Sequence, residues 1–377
     1  MSVPGSRNVR IGIIGCGIIA RNHLEAFNVH PHAQVVAVSD IDKTRAEAFA
    51  AQHGIENVFD DVAALLASGV DAVAVCTPHP THEALVIQAA RAGKHVLCEK
   101  PIATTMEAAE AMVAACEDAG VLLGVMFQRR FWPAAQELKA KFRDGTILGR
   151  CDVALHRDHS YYTKDAWRGT WAADGGGVLM TQAIHYIDLL QWVMGDVVEV
   201  NGRINSFKHA DNIEVEDSAV ATLVFASGAL ATLNASTSVT PSLGVRVQVT
   251  GADGSTAALL EFPEGSEGRL VLDAAGGIIA ETPEHPRDLN PNVDLATING
   301  QLIPYHTKQI ANFVDAVRGE AELVVDGREG TKALQTLLAV YESHRTGAPV
   351  RLSSDAPPSR VSVPETVTAT AAAHVPA

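Results

Sequence analysis

The chain has 377 residues, 47% of them hydrophobic and 19% charged, and a formal net charge of −15. That length exceeds what one hydrophobic core usually holds, so two domains are expected. The acidic balance argues against a nucleic-acid backbone or an anionic membrane as partner, and no apolar run approaches membrane-spanning length. The five cysteines, Cys16, Cys76, Cys98, Cys116 and Cys151, contain no C-x-x-C pair, and their number is odd. Without an apolar signal core among the first residues, this cysteine usage points to a reducing, cytoplasmic setting.

In chain order, the first third alternates strand and helix patterns. Val9–Ile14, Gln34–Ser39, Val70–Cys76, His95–Leu97 and Val121–Met126 read as short apolar strands. Between them, Ile18–Phe27, Lys43–His53, Ala84–Ala92 and Met106–Ala119 have helical spacing. Alternating βα units of this length imply a parallel sheet covered by helices. The character changes near Phe127–Phe131. After a helix over Ala134–Phe142, alternating patterns mark strands at Cys151–His156, Val197–Ile204, Ser218–Phe225, Ala229–Ser236 and Val245–Gly251. Short turns between neighbouring strands indicate a largely antiparallel sheet. A helix over Val178–Met194 interrupts these strands, and helices over Thr307–Val317 and Gly330–Ser343 follow. Ser353–Ala377 is rich in Pro, Ser, Thr, Val and Ala without amphipathic period, and is expected to be a mobile tail.

The segment Gly15-Cys16-Gly17-Ile18-Ile19-Ala20 follows the first strand and opens the first helix, a G-x-G-x-x-A fingerprint. Gly15 allows the tight turn, Gly17 lets a pyrophosphate approach the backbone at a helix N-terminus, and Ala20 keeps the helix close to the sheet. Asp40 ends the second strand at the distance the dinucleotide fingerprint expects of its ribose-binding acid. A carboxylate there repels a 2′-phosphate, so NAD is expected ahead of NADP; Arg45, one turn into the next helix, softens that preference.

Three further motifs stand downstream: Thr77-Pro78 with His82, Glu99-Lys100-Pro101, and Gly175-Gly176-Gly177 leading to His185-Tyr186-Ile187-Asp188. Together with the glycine fingerprint, and in this order, they resemble the Gfo/Idh/MocA oxidoreductases, from about Val9 to Leu352. The resemblance implies an α/β Rossmann domain (1–127), then an α+β domain with a large, mostly antiparallel open sheet (128–352), then the tail (353–377). It also implies a homodimer or homotetramer formed through the exposed face of that sheet.

Lys100 stands at the carboxyl end of a strand, where crevices form in open α/β sheets. Buried near a cationic nicotinamide, its ammonium loses its proton more easily than in water, and it can hydrogen-bond a reacting oxygen. Glu99 faces either the nicotinamide ribose or a helix end. His82 reads equally as a locally bonded helix residue or a cofactor contact. The expected cofactor-binding set is Gly15, Gly17, Ile18, Ile19, Ala20, Asp40, Thr77, Pro78, His82, Glu99, Lys100, Trp167 and Arg168. Thr181, His185 and Asp188 share a helical stripe, on which Asp188 can orient His185 and His185 can work as an acid–base group. The expected catalytic pair is Lys100 and His185. Tyr161, Arg168, Thr181 and Gln182 join them as candidate substrate contacts, aromatic faces and a guanidinium being suited to sugars.

Inositol dehydrogenases of the family carry D-x-G-x-H before this histidine; this chain has Thr181 and Ala183 in those positions. A Lys–Asp–His relay is therefore not expected, and the substrate is left open. His156 and His159 lack a third ligand at metal spacing, so no metal site is expected. The resulting expectation is an NAD(P)-dependent dehydrogenase of a sugar, sugar derivative or cyclitol hydroxyl. The alternatives are a keto-sugar reductase and a non-catalytic dinucleotide-sensing regulator on the same fold.

Overall fold

The computed structural model describes residues 8–143, 145–163, 167–273 and 292–352. The expected tail, 353–377, lies outside the described residues. The first half builds β1 (Val9–Ile14), α1 (Ile18–Val29), β2 (Ala33–Ser39), α2 (Lys43–His53), β3 (Asn57–Phe59), α3 (Val62–Ala67), β4 (Ala72–Val75), α4 (His82–Arg91), β5 (His95–Cys98), α5 (Met106–Ala119), β6 (Leu123–Val125) and α6 (Pro133–Lys141). The strands form a sheet in the order β3-β2-β1-β4-β5-β6, every pair parallel. The order reverses between β1 and β4, which opens a crevice at their carboxyl ends. Gly15 and Thr77 lie just beyond those ends, and Lys100 just beyond the end of the neighbouring β5.

The second half contains β7 (Thr146–Ala154), α7 (His159–Thr163), α8 (Ile184–Met194), β8 (Val197–Asn205), β9 (Ser218–Phe225), β10 (Leu230–Ser236), β11 (Gly244–Gly251), β12 (Thr256–Glu261), β13 (Arg269–Asp273), α9 (Leu295–Val317), α10 (Gly327–Thr346) and β14 (Val350–Arg351). Its sheet runs β13-β12-β11-β7-β10-β9-β8-β14. Only β7 and β10 pair in parallel; the other neighbours are antiparallel. Residues alternate buried and exposed along β9 and β10. Ala219, Ala221, Leu223 and Phe225 share the core with Ile184, Ile187 and Leu190 of α8 and with Leu334 and Leu337 of α10. The outer face shows Leu148, Val220 and Leu230, each about half exposed, with Leu148 and Leu230 direct partners across β7 and β10.

Helix α9 starts at Leu295, twelve positions before the expected Thr307, and carries Pro304 inside it. Proline costs a helix one backbone bond. Here Ile298, Leu302 and Tyr305 are buried on either side of it, and Asp294 caps the first turn by accepting from Ala296 N and Thr297 N. Burial and the cap hold the longer helix together. It packs on α1, where Asn22 Nδ2 donates to Asn299 O at 2.9 Å, so the late chain returns to brace the dinucleotide-type domain. No helix among the described residues is long and apolar enough to cross a membrane.

Candidate active site

The glycine turn is shaped by its neighbours. Gly15 has φ +91°, and a Cβ there would lie 2.8 Å from both Cys76 O and Thr77 Cγ2, so only glycine lets β1 turn against the end of β4. Gly17 is the reverse case: it is exposed, and nothing lies within 4 Å of where its Cβ would be. No side chain caps the first turn of α1, which leaves backbone N–H groups directed to the outside. Asp40 Oδ2 accepts from Cys16 N at 2.8 Å and Oδ1 from Asp42 N at 2.9 Å, with Arg45 Nη1 3.5 Å from Oδ1. An open glycine, a helix start without a side-chain cap and an acid at the end of β2 fit a dinucleotide: the turn suits its pyrophosphate and Asp40 the ribose beyond it.

Lys100 follows β5 and precedes a cis bond to Pro101. Its Nζ donates to Thr181 O at 3.0 Å. Burial pulls the ammonium pKa down to about 8, against the opposing charge of Glu99. Glu99 and His82 serve this loop from behind, away from solvent. His82 is fully buried, with Nε2 2.9 Å from Thr77 O and Nδ1 3.0 Å from Pro101 O. It clamps the Thr77-Pro78 turn to the Lys100 loop and has no ring nitrogen left for a ligand. Glu99 turns toward α1, where His23 Nε2 donates to its Oε1 at 2.7 Å.

The segment before α8 opens with a π turn over Leu179–Ala183. Thr181 Oγ1 donates to Gly177 O at 2.8 Å and meets Gln182 Oε1, so its hydroxyl serves this turn and not His185. The expected Asp188–His185 partnership does not form. Asp188 takes both Arg130 Nε (2.9 Å) and Nη2 (2.6 Å), because a buried guanidinium fork matches a carboxylate better than an imidazole edge does. His185 is 6% exposed and its Nδ1 has no hydrogen-bond partner in the protein. Its ring stands edge-on to Phe127 at 6.0 Å. Burial, with the charges of Arg129 and Lys100, holds its pKa well below the ordinary histidine value.

The glycine run is required by its protein neighbours. A Cβ on Gly176 would strike the Tyr341 hydroxyl, and one on Gly177 would strike Glu216 O. The close approach is to protein, not to ligand. Glu216 accepts from Gly177 N, Leu179 N and Tyr341 Oη, each within 3.0 Å, and so fixes the start of the π turn.

Tyr161, Gln182 and Arg168 form one group. Tyr161 Oη accepts from Gln182 Nε2 at 2.9 Å and from Arg168 Nη1 at 2.8 Å. The Arg168 guanidinium lies over the rings of Tyr161 and Trp167 at 4.6 and 4.8 Å. Trp167 in turn meets His79 edge-on at 5.4 Å, across from the first sheet. Asp174 pins this loop by accepting from Gly169 N at 2.8 Å, and His79 Nδ1 donates to Asp174 O at 3.0 Å. Burial raises the Asp174 carboxyl to about 6.

Sequence reading missed Arg129, His79, Asp174 and Glu216 as parts of this site. Arg129 Nε and Nη2 each stand 3.2 Å from Glu261, while its buried Nη1 is unpartnered. Its charge acts on both Lys100 and His185. No local pattern marks these residues; the fold brings them in from separate elements. Among the described residues, no group of three or more His, Cys, Asp or Glu is placed to hold a metal ion.

Comparison with known proteins agrees with this geometry. Residues 9–127 match the oxidoreductase family with an NAD-binding Rossmann fold, and residues 148–352 its C-terminal alpha/beta domain. The chain is 31% identical to D-apiose dehydrogenase of Paraburkholderia graminis, over 91% of this chain and 89% of that protein. It is 29% identical to inositol 2-dehydrogenase of Rhizobium meliloti, over 89% of this chain and 96% of that protein. Among solved structures, the WlbA dehydrogenase from Bordetella pertussis, in complex with NADH and UDP-GlcNAcA, superposes with a TM-score of 0.79 and 31% identity, covering 93% of this chain and all of that one. With an NAD-binding Rossmann domain and the family's C-terminal domain in tandem, the chain is a member of the Gfo/Idh/MocA family of oxidoreductases.

Proposed function

We propose that this protein oxidises a secondary or anomeric hydroxyl of a sugar, a sugar derivative or a cyclitol, with Lys100 and His185 as the catalytic pair. The observation that carries the reading is the bond from Lys100 Nζ to Thr181 O, which ties the lysine to the turn that leads into α8, where His185 stands. Bound NAD supplies the acceptor for the hydrogen that leaves carbon with its electron pair. Lys100 donates a charged hydrogen bond to the substrate oxygen and stabilises the negative charge that grows there. His185, kept neutral by burial, takes the hydroxyl proton on an imidazole nitrogen. Tyr161, Arg168 and Gln182, already bonded to one another, present a preorganised wall for a hydroxyl-rich ligand. Gly15, Gly17, Ile18, Ile19, Ala20, Asp40, Thr77 and Pro78 line the cofactor side, with Trp167 and Arg168 closing over it.

The named activities and ligands of the relatives, a pentose, a cyclitol and a nucleotide-linked uronate, support a polyol substrate and do not choose among them. The apolar outer face around Leu148, Val220 and Leu230 supports assembly into a homodimer or homotetramer. The test is nicotinamide absorbance on mixing the protein and NAD with a panel of inositols, aldoses, anhydrosugars and nucleotide sugars. Turnover of at least one panel member is expected. Tight NAD binding with no turnover of any would favour the sensor reading instead.

A further inference from the structure

Behind the cleft lies a buried pair that the proposed chemistry does not use. His23, on α1, is fully enclosed, and Glu99 is 8% exposed. Glu99 Oε1 accepts from His23 Nε2 at 2.7 Å, and Oε2 accepts from Lys100 N at 3.2 Å. One carboxylate therefore grips the cofactor helix with one oxygen and the Lys100 backbone with the other. His306 of α9 closes the third side, its ring edge-on to His23 with centroids 6.0 Å apart and its Nδ1 donating to Leu302 O at 3.0 Å. Through Lys100 Nζ and Thr181 O, the chain of contacts continues to the turn that precedes His185 of α8.

We propose that Glu99, fixed by His23, is the positioning residue that sets the charge and the aim of Lys100. The inference rests on reading Lys100 as the group that polarises the substrate oxygen. The leading charges on that lysine come from four groups, with His79 and His185 also within its field. Glu99 and Asp174 favour its charged form, while Arg129 and Arg168 oppose it, as burial does. Glu99 heads these charges, so its removal leaves burial and two guanidinium groups pushing the amine toward neutrality. Around Glu99 itself stand His23, His306, His82 and Lys100, with the thiols of Cys76 and Cys98. Burial pushes the Glu99 carboxyl up, but the His23 hydrogen bond and the positive charge around it outweigh burial and hold it down at about 2. The carboxylate is thus a fixed anion across the working range, and its donor is His23.

The experiment is competitive labelling of Lys100 in the full-length protein with trace acetic anhydride across pH, read by peptide mass spectrometry. It reports the lysine's charge without turnover. In Glu99→Gln, the labelling midpoint is expected to fall by about one pH unit, which makes Lys100 roughly tenfold more reactive on the rising limb of the profile. His23→Leu, which leaves the carboxylate without its donor, should move the midpoint in the same direction. His23→Gln keeps an N–H donor and should restore the wild-type profile. Should Glu99→Gln fail to fold, the His23→Leu and His23→Gln comparison decides alone. Profiles of Glu99→Gln and His23→Leu that superimpose on wild type overturn the proposal. A shifted profile in a protein that oxidises no sugar leaves it standing and removes the dehydrogenase reading instead.

Discussion

Lys100 Nζ donates to the main-chain oxygen of Thr181 at 3.0 Å, across 81 positions of sequence. The bond joins the end of β5 to the turn that launches α8. It ties an ammonium lowered to about pKa 8 to the start of the segment that carries His185, whose pKa burial holds well below the ordinary value. Burial lowers both values, that of Lys100 toward neutrality and that of His185 further below it, so the two groups differ in charge near neutral pH.

The pH dependence follows from these two shifts. In its proposed role Lys100 acts while protonated, so kcat/KM should fall as pH rises through about 8. His185 acts while neutral and its pKa is lowered, so activity should persist well below the ordinary histidine range of about 6.5 before the acid limb appears. A pH profile of kcat/KM with an acid limb at ordinary histidine values would remove the buried-neutral assignment of His185.

Asp40 holds the glycine turn through Cys16 N and stands 3.5 Å from Arg45. Asp40→Ser should raise KM for NAD by about tenfold, the scale of one lost charged hydrogen bond. It should also narrow the preference for NAD over NADP, since the carboxylate that repels a 2′-phosphate is gone and Arg45 keeps only Asp42 as an acidic neighbour. Steady-state kinetics with both cofactors checks this.

Asp188 is bound by Arg130 and not by His185. Asp188→Asn should therefore destabilise the fold by about 3–5 kcal/mol, the cost of breaking a buried ion pair. In the folded fraction, the pH profile of kcat should keep its shape. Denaturant melts and a pH–rate profile separate the two effects; a displaced histidine limb would restore the orienting role expected from the spacing.

Burial raises the Glu216 carboxyl to about 7 although it caps Gly177 N and Leu179 N. A pKa above its unfolded value means that the folded state holds the proton more tightly. This group's contribution is therefore fully present below about 4.5 and is lost as pH rises through about 7. Glu216→Gln should flatten that part of the stability–pH curve, measured by thermal melts. Glu216→Ala should cost about 2–3 kcal/mol, because buried donors lose their acceptor.

The sequence carried the layout of the molecule where periodicity is strong: β1, α1, β2, α2 and α5 lie within two residues of their expected ranges. It passed over β3 and α3, which are too short to show a period, and β12 and β13, although the turn pair Asp253-Gly254 stands directly before β12. The site was legible as motifs and illegible as contacts. Thr181, His185 and Asp188 do share a helical spacing, but Arg130, 58 positions away, decides where Asp188 turns. The Gly175–Gly177 run stood out as a motif, while Tyr341 and Glu216, which crowd Gly176 and Gly177, come from distant elements. Local pattern reports that a residue is constrained; only the fold reports by what.

The central claim is that Lys100 and His185 work as a pair on the substrate hydroxyl. Its most direct test is kcat for Lys100→Ala, His185→Ala and the double variant, with NAD binding followed by fluorescence. Each single variant should bind NAD and lose about 10²–10⁴-fold in kcat, the range for one acid–base or oxyanion group. The double variant should fall little further, because groups acting as a unit are not additive. Turnover near wild type in either single variant would contradict the account.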